Sequence, residues 1–195
     1  MRDMSHIALI ALGSNEKSIF GDAKETVQKA MLAVAKLSDH AAKRSGFFAT
    51  PAFPAGSGPD FVNAAMAIST MLSPHELLDH LHQIEAAAGR TRARRWGQRT
   101  LDLDLIAVGD IVLPDPQTHQ TWRDLPIEDQ LRVSPDDLIL PHPRLQDRAF
   151  VLVPMLDVAP DWRHPLLDRS IAEICATLPH AMRAEVTRLG TAHNH

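Results

Sequence analysis

Two aspartates, Asp102 and Asp104, stand one residue apart in the run TLDLDLI, and Arg90, Arg92, Arg94, Arg95 and Arg99 precede them with no acidic residue among them. Residues i and i+2 of a strand share a face roughly 6.5 Å apart, so both carboxylates can converge on hard cations such as Mg²⁺. Alternation alone is equally compatible with a solvated strand face. Aspartate, however, is depleted in strands because it competes for backbone hydrogen bonds and packs poorly on a pleat, so two in succession on one face need a reason. Metal held by the carboxylates and guanidinium forks on the opposite side would grip a polyphosphate for in-line transfer. Each arginine alone reads as a solvated loop charge; as a group before paired aspartates they read as a phosphate clamp. No GxxxxGK run occurs, which excludes a P-loop enzyme.

A second pair suggests a flat ligand. Phe61 and Asn63 are two apart in the strand-like run Phe61 to Thr70, so an aromatic platform sits beside an amide that both donates and accepts. A heterocycle of mixed donors and acceptors needs both, although a core phenylalanine beside a turn-capping asparagine would look the same. His142, between Pro141 and Pro143, reads either as a ligand contact or as an exposed loop histidine.

These residues must be positioned by alternating strands and helices. Ile7 to Leu12 reads as a buried strand closed by a turn at Gly13, Ser14 and Asn15. Ala23, Val27, Ala30, Met31, Val34 and Leu37 recur at helical spacing. Lys43 to Thr50 and Phe61 to Thr70 read as strands around the Pro- and Gly-rich PAFPAGSGP. A second helix opens at Ser73 with Pro74 and Glu76 forming a capped start, carries Leu77, Leu81, Ile84 and Ala88, and stops at Gly89. Then comes the aspartate strand, with Leu101, Leu103 and Leu105 turned to the core. The order strand, helix, strand, strand, helix, strand predicts an α+β, ferredoxin-like sandwich: a largely antiparallel sheet with helices packed on one face. Asp115 to Val133 is expected to form an extended hairpin or surface loop.

At 195 residues, 45% hydrophobic and 23% charged, the chain has the composition of a soluble globule able to bury its own core. One domain over residues 1–195 is expected, with a core of about 6–180 and a tail at 181–195. A net charge of -4 argues against general nucleic-acid binding. The lone Cys175 excludes an intrachain disulfide framework, suits a reducing compartment and reads as buried on a late helix. With no secretory or membrane signal in the opening residues, the cytoplasm is the expected compartment.

RWGQRTLDLDLI resembles the signature of the 6-hydroxymethyl-7,8-dihydropterin pyrophosphokinase family. ALGSN near the start, ATPAF at Ala49 to Phe53, DFVNAA at Asp60 to Ala65, LPHPRLQDRAFVLVPM at Leu140 to Met155 and DVAP at Asp157 to Pro160 are similar to family motifs in the family order. The resemblance covers roughly Ile7 to Pro160. It implies transfer of pyrophosphate from MgATP to 6-hydroxymethyl-7,8-dihydropterin in folate biosynthesis, giving AMP and the pterin diphosphate, by a monomer with small-molecule substrates. By the same resemblance, Asp102 and Asp104 hold two Mg²⁺ ions against ATP. Arg95, Arg99, Ile106, His142 and Arg148 bind ATP, and Arg90 and Arg92 belong to a catalytic loop that is expected to close over bound triphosphate. Thr50, Pro51, Phe53, Phe61, Asn63, Trp96 and Phe150 bind the pterin. Gln98, His82 and Asp137 depart from the family pattern, which leaves open which of Arg90, Arg92 and Arg94 reaches phosphate. Two other classes fit parts of the pattern. An RNA-binding module on a ferredoxin-like sheet would explain the arginines but not the aspartates, and a metal-dependent nuclease or phosphohydrolase would use the same aspartate pair.

Overall fold

The computed structural model describes residues 5–52, 58–89, 100–126, 128–129, 133 and 135–190. Strand β1, His6–Ser14, is apolar for most of its length and is an inner strand of a six-stranded sheet. Helix α1, Ala23–Ala35, follows, its first turn closed by a capping box between Asp22 and Glu25. Strands β2, Lys43–Arg44, and β3, Phe48–Thr50, precede the long β4, Phe61–Thr70. Helix α2, Pro74–Ala87, starts from the predicted Ser73 and Glu76 box and is followed by Gly89 at φ +85°, a conformation suited to glycine. Strand β5, Asp102–Val108, completes the predicted succession.

Strands β6, Arg163–His164, and β7, Arg169–Ser170, pair in a separate antiparallel hairpin, and the main sheet has the order β5-β1-β4-β3-β8, where β8 is Thr187–Arg188 and β2 also pairs with β4. All of these pairings are antiparallel. The expected α+β sandwich is present, with four details that differ from the sequence reading.

Lys43 to Thr50 is not one strand. Ser45 interrupts it, its Oγ accepting from the Ala65 N–H at 2.8 Å while its own N–H donates to the Ala65 carbonyl at 2.9 Å. A side chain thus takes over a ladder position and splits the strand.

Helices cover both faces rather than one. On the first face Ile10, Leu12, Val27, Met31, Leu77, Leu81 and Leu105 form one core. On the second, Leu9, Ala11, Ala65 and Ile106 pack against α4, Ala149–Met155, and α5, Ile171–Thr177. Cys175 is buried there, as expected. Central strands buried on both faces explain why β1 and β4 read as near-continuous apolar runs.

The stretch from Asp115 begins with helix α3, Pro116–Arg123, instead of a hairpin or loop, its first turn capped by the Asp115 carboxylate. The tail is structured further than expected. Helix α6, His180–Ala184, leads into β8, which pairs with β3 at the sheet edge, while 191–195 lie outside the described residues.

Candidate active site

Of the predicted site residues, Thr50, Phe61, Asn63, Asp102 and Asp104 share one end of the second sheet face. Register fixes the rows. Gly13 of β1 lies opposite Asp102 on one side and Asn63 on the other, and Asn63 lies opposite Phe48. One step along, Ala11 lies between Asp104 and Ala65, and in the opposite direction Thr50 faces Phe61. Directly opposed residues point to the same face. The two aspartates and the Phe61/Asn63 pair therefore flank a floor of Gly13, Ala11 and Ala65, separated by two strand spacings of roughly 4.8 Å each.

Small residues keep this floor low. A Cβ on Gly13 would stand 3.2 Å from Asn63 Oδ1, so a side chain there would press on the Asn63 amide, and the glycine serves inside the strand rather than at the turn expected from the sequence. Asn63 is buried, and its Nδ2 donates to Thr50 Oγ1 at 2.8 Å. Pro51 follows on the exposed side.

On the metal side, β5 is an edge strand. Its Leu103 N–H, between the aspartates, donates to the buried Glu85 carboxylate of α2 at 2.8 Å. This pins the backbone that carries both carboxylates. Next to them β5 bulges: Leu105 pairs with Ile10 and Ala107 with Leu9, leaving Ile106 as the extra residue. The Ile106 side chain is 1% exposed in the second core, so its assigned contact with ATP can run only through the backbone. Its carbonyl accepts the His142 N–H at 2.8 Å.

His142 and Arg148 arrive on the segment before α4. Arg148 Nη1 donates to Asp104 Oδ2 at 3.2 Å and stands 3.5 Å from His142 Nε2. Both ring nitrogens of His142 face donors, Nδ1 the Arg144 N–H at 3.1 Å and Nε2 the Arg148 guanidinium, and a neutral ring can accept at only one of them. Burial, then the Arg148 charge, lowers the His142 pKa well below the ordinary histidine value, which keeps it neutral near pH 7. The Arg148 guanidinium lies 5.7 Å from the centre of the half-exposed Phe150 ring.

Arg144 was not foreseen. Its Nε is buried without a hydrogen-bond partner among the described residues, and burial followed by repulsion from Arg148 lowers its pKa. Two guanidiniums this close form an anion-attracting patch. Also unforeseen is what ALGSN does. The Ser14 hydroxyl donates to the Thr100 carbonyl at 2.6 Å, and Asn15 Nδ2 donates to the Pro59 carbonyl at 3.4 Å. The end of β1 thus holds the residues that follow 90–99 and 53–57. Phe53, Arg90, Arg92, Arg94, Arg95, Trp96 and Arg99, named above from sequence, lie outside the described residues.

The model of the 7,8-dihydro-6-hydroxymethylpterin-pyrophosphokinase (HPPK) family matches residues 9–160. This chain belongs to the HPPK family. A Pseudomonas aeruginosa protein named 2-amino-4-hydroxy-6-hydroxymethyldihydropteridine pyrophosphokinase is 38% identical over 87% of this chain and 90% of its own length. A Synechocystis protein of the same name is 35% identical over 87% of this chain and 74% of its own length. The fold is that of solved HPPK-DHPS structures from Plasmodium falciparum. One superposes with a TM-score of 0.60 at 14% identity, covering 90% of this chain but 44% of the longer one. The HPPK match spans both sides of the site, from β1 to the residues after α4.

The two-carboxylate set fits magnesium. Among the described residues no group of three or more histidine, cysteine or acidic side chains could hold a metal. Mg²⁺ characteristically takes one or two protein carboxylates and completes its shell with water and substrate phosphate. No helix among the described residues is long and apolar enough to cross a membrane.

Proposed function

We propose that this chain transfers pyrophosphate from MgATP to 6-hydroxymethyl-7,8-dihydropterin, as the names of its HPPK relatives indicate for them, giving AMP and the pterin diphosphate. The observation that carries the reading is the placement of Asp102 and Asp104 across a glycine–alanine floor from Phe61 and Asn63. One end suits a metal-bound triphosphate and the other a flat polar ring.

The pterin hydroxyl oxygen attacks the β-phosphorus, the bond from that phosphorus to the α-phosphate bridging oxygen breaks, and the hydroxyl proton leaves to solvent or a phosphate oxygen. Asp102 and Asp104 would hold two Mg²⁺ ions, which supply charge neutralisation and acidify the attacking hydroxyl. Arg148, His142, Arg95, Arg99 and the Ile106 backbone bind ATP, with Arg90 and Arg92 assisting transfer. Phe61, Phe150 and Trp96 embrace the ring, while Asn63, Thr50, Pro51 and Phe53 read its edge. No side chain among the described residues is placed as an obvious general base, so positioning and electrostatics carry the rate. The chain works in the cytoplasm, as a monomer, on small molecules.

Incubation with Mg²⁺ and ATP, with and without the dihydropterin, tests the reading. ATP consumption dependent on the pterin and yielding AMP supports it; release of orthophosphate or ADP would instead support a metal-dependent phosphohydrolase using the same aspartates.

A further inference from the structure

His142 sits in a run that cannot hold itself. Between Leu140 and Arg144 the sequence is Pro141, His142, Pro143, and neither proline has an N–H to give to a neighbouring strand. The His142 N–H, the sole backbone donor of those three residues, goes to the Ile106 carbonyl. The other end of the same peptide unit, the Pro141 carbonyl, would be left to whatever lies behind it.

What lies behind it is His119 of α3, whose Nε2 is 2.8 Å from the Pro141 carbonyl oxygen. A carbonyl only accepts, so the His119 proton is on Nε2. The peptide bond leading into His142 is therefore gripped from both sides, by β5 through Ile106 and by α3 through His119. Helix α3 buries no apolar stripe. Of Pro116–Arg123, His119 is the one buried residue, at 0% exposure, where an amphipathic helix would bury an apolar stripe. The helix is tied to the same loop at its base, because Leu113 and Leu140 exchange both backbone hydrogen bonds. Behind His119 stands the equally buried His164, ring centres 5.7 Å apart and nearly edge-on, itself 5.9 Å from the Trp162 ring. His164 Nδ1 accepts from the Leu166 and Leu167 N–H groups, which orients it as a wall against which His119 is set.

We propose that His119 is a positioning residue of the active site, holding the Pro141 carbonyl so that the His142 ring is set beside Arg148 and Asp104. It touches neither substrate; it acts through the backbone of a residue that does. The segment that begins at Asp115 thereby gains a purpose in the reaction. The catalytic consequence rests on the proposed binding of nucleotide by His142, whereas the positioning itself does not.

The test has three readouts on the full chain. In the wild-type protein, ¹⁵N NMR of the ring should show His119 as the Nε2–H tautomer; the Nδ1–H tautomer would remove the hydrogen bond and overturn the proposal without any variant. His119→Phe keeps an aromatic ring of similar size but deletes the donor, and the His142 amide should then exchange at least about tenfold faster while amides of β1 and β4 do not change. The KM for ATP should rise about tenfold with a smaller change in kcat, and His119→Gln, whose amide nitrogen can reach the same carbonyl, should restore both. Unchanged His142 exchange in His119→Phe, or a uniform acceleration across the sheet that His119→Gln fails to reverse, overturns the proposal. If His142 exchange responds but the KM does not, the positioning stands and the nucleotide role of His142 is what fails.

Discussion

Asp104 and Arg148 close into an ion pair at 3.2 Å, with side chains 31% and 25% exposed. Water still reaches both partners, so such a pair contributes on the order of 1 kcal/mol. Asp104 can therefore turn to a cation at little cost, leaving Arg148 for the anion that the cation brings. Replacing Asp102 or Asp104 with Ala should reduce turnover at least about a hundredfold while the thermal midpoint stays close to that of the parent. Steady-state assay alongside a melting curve checks this, and near-parental activity in either variant would remove the two-carboxylate metal site. Asn63 tests the other end of the floor. Removing its amide leaves Thr50 and the pterin edge without a partner, a loss of about 1 to 3 kcal/mol. Asn63→Ala should weaken pterin binding about tenfold and leave ATP binding unchanged; equal losses for both ligands in calorimetric titration would reject the assignment.

Among the elements, the legible ones were those whose local signals agreed. Strands β1, β4 and β5 and helices α1 and α2 each carry a continuous apolar pattern, and both helices have capping boxes, so periodicity and punctuation pointed the same way. Helix α3 escaped because it buries one histidine and no stripe. The break in Lys43 to Thr50 escaped because it depends on a serine hydroxyl meeting the Ala65 N–H from a distant strand. Of the second helical layer only the helix around Cys175 was read, because its helices are 7, 7 and 5 residues long, too short for a clear period. Gly13 was noticed but misjudged, since only the register of β1 against β4 sets it under Asn63. Gly13→Ala should shift the Asn63 amide by a few tenths of an ångström, and Gly13→Val should displace it. Pterin affinity should fall from glycine to alanine to valine, with circular dichroism unchanged. If titration shows full affinity in Gly13→Val, the low floor is not what admits the ring.

For the whole molecule, the paired histidines make stability depend on acidity. His164 is fully buried, and burial, then its neighbours His119 and Arg123, lowers its pKa to about 4. In the unfolded chain it titrates near the ordinary value of about 6.5. Between those values the unfolded chain holds a proton that the native protein refuses. The stability due to the neutral ring is therefore complete above pH 6.5, is lost progressively as pH falls toward 4, and changes no further below that. At pH 5 the loss is on the order of 2 kcal/mol. His119 and His142 are lowered in the same direction, foremost by burial, and add to it. Glu76, Asp115, Asp124 and Glu173 are also lowered, each foremost by a hydrogen bond, but these carboxylates lose their contribution only at more acidic pH. A window from pH 7.5 to 5 thus isolates the histidines. His164→Phe keeps a ring beside Trp162 and removes one titrating group, so its unfolding free energy should fall less steeply across that window than the parent's. Urea denaturation at pH 7.5, 6.5, 5.5 and 5 measures both slopes, and parallel lines for the two proteins would mean that His164 is not held neutral by its burial.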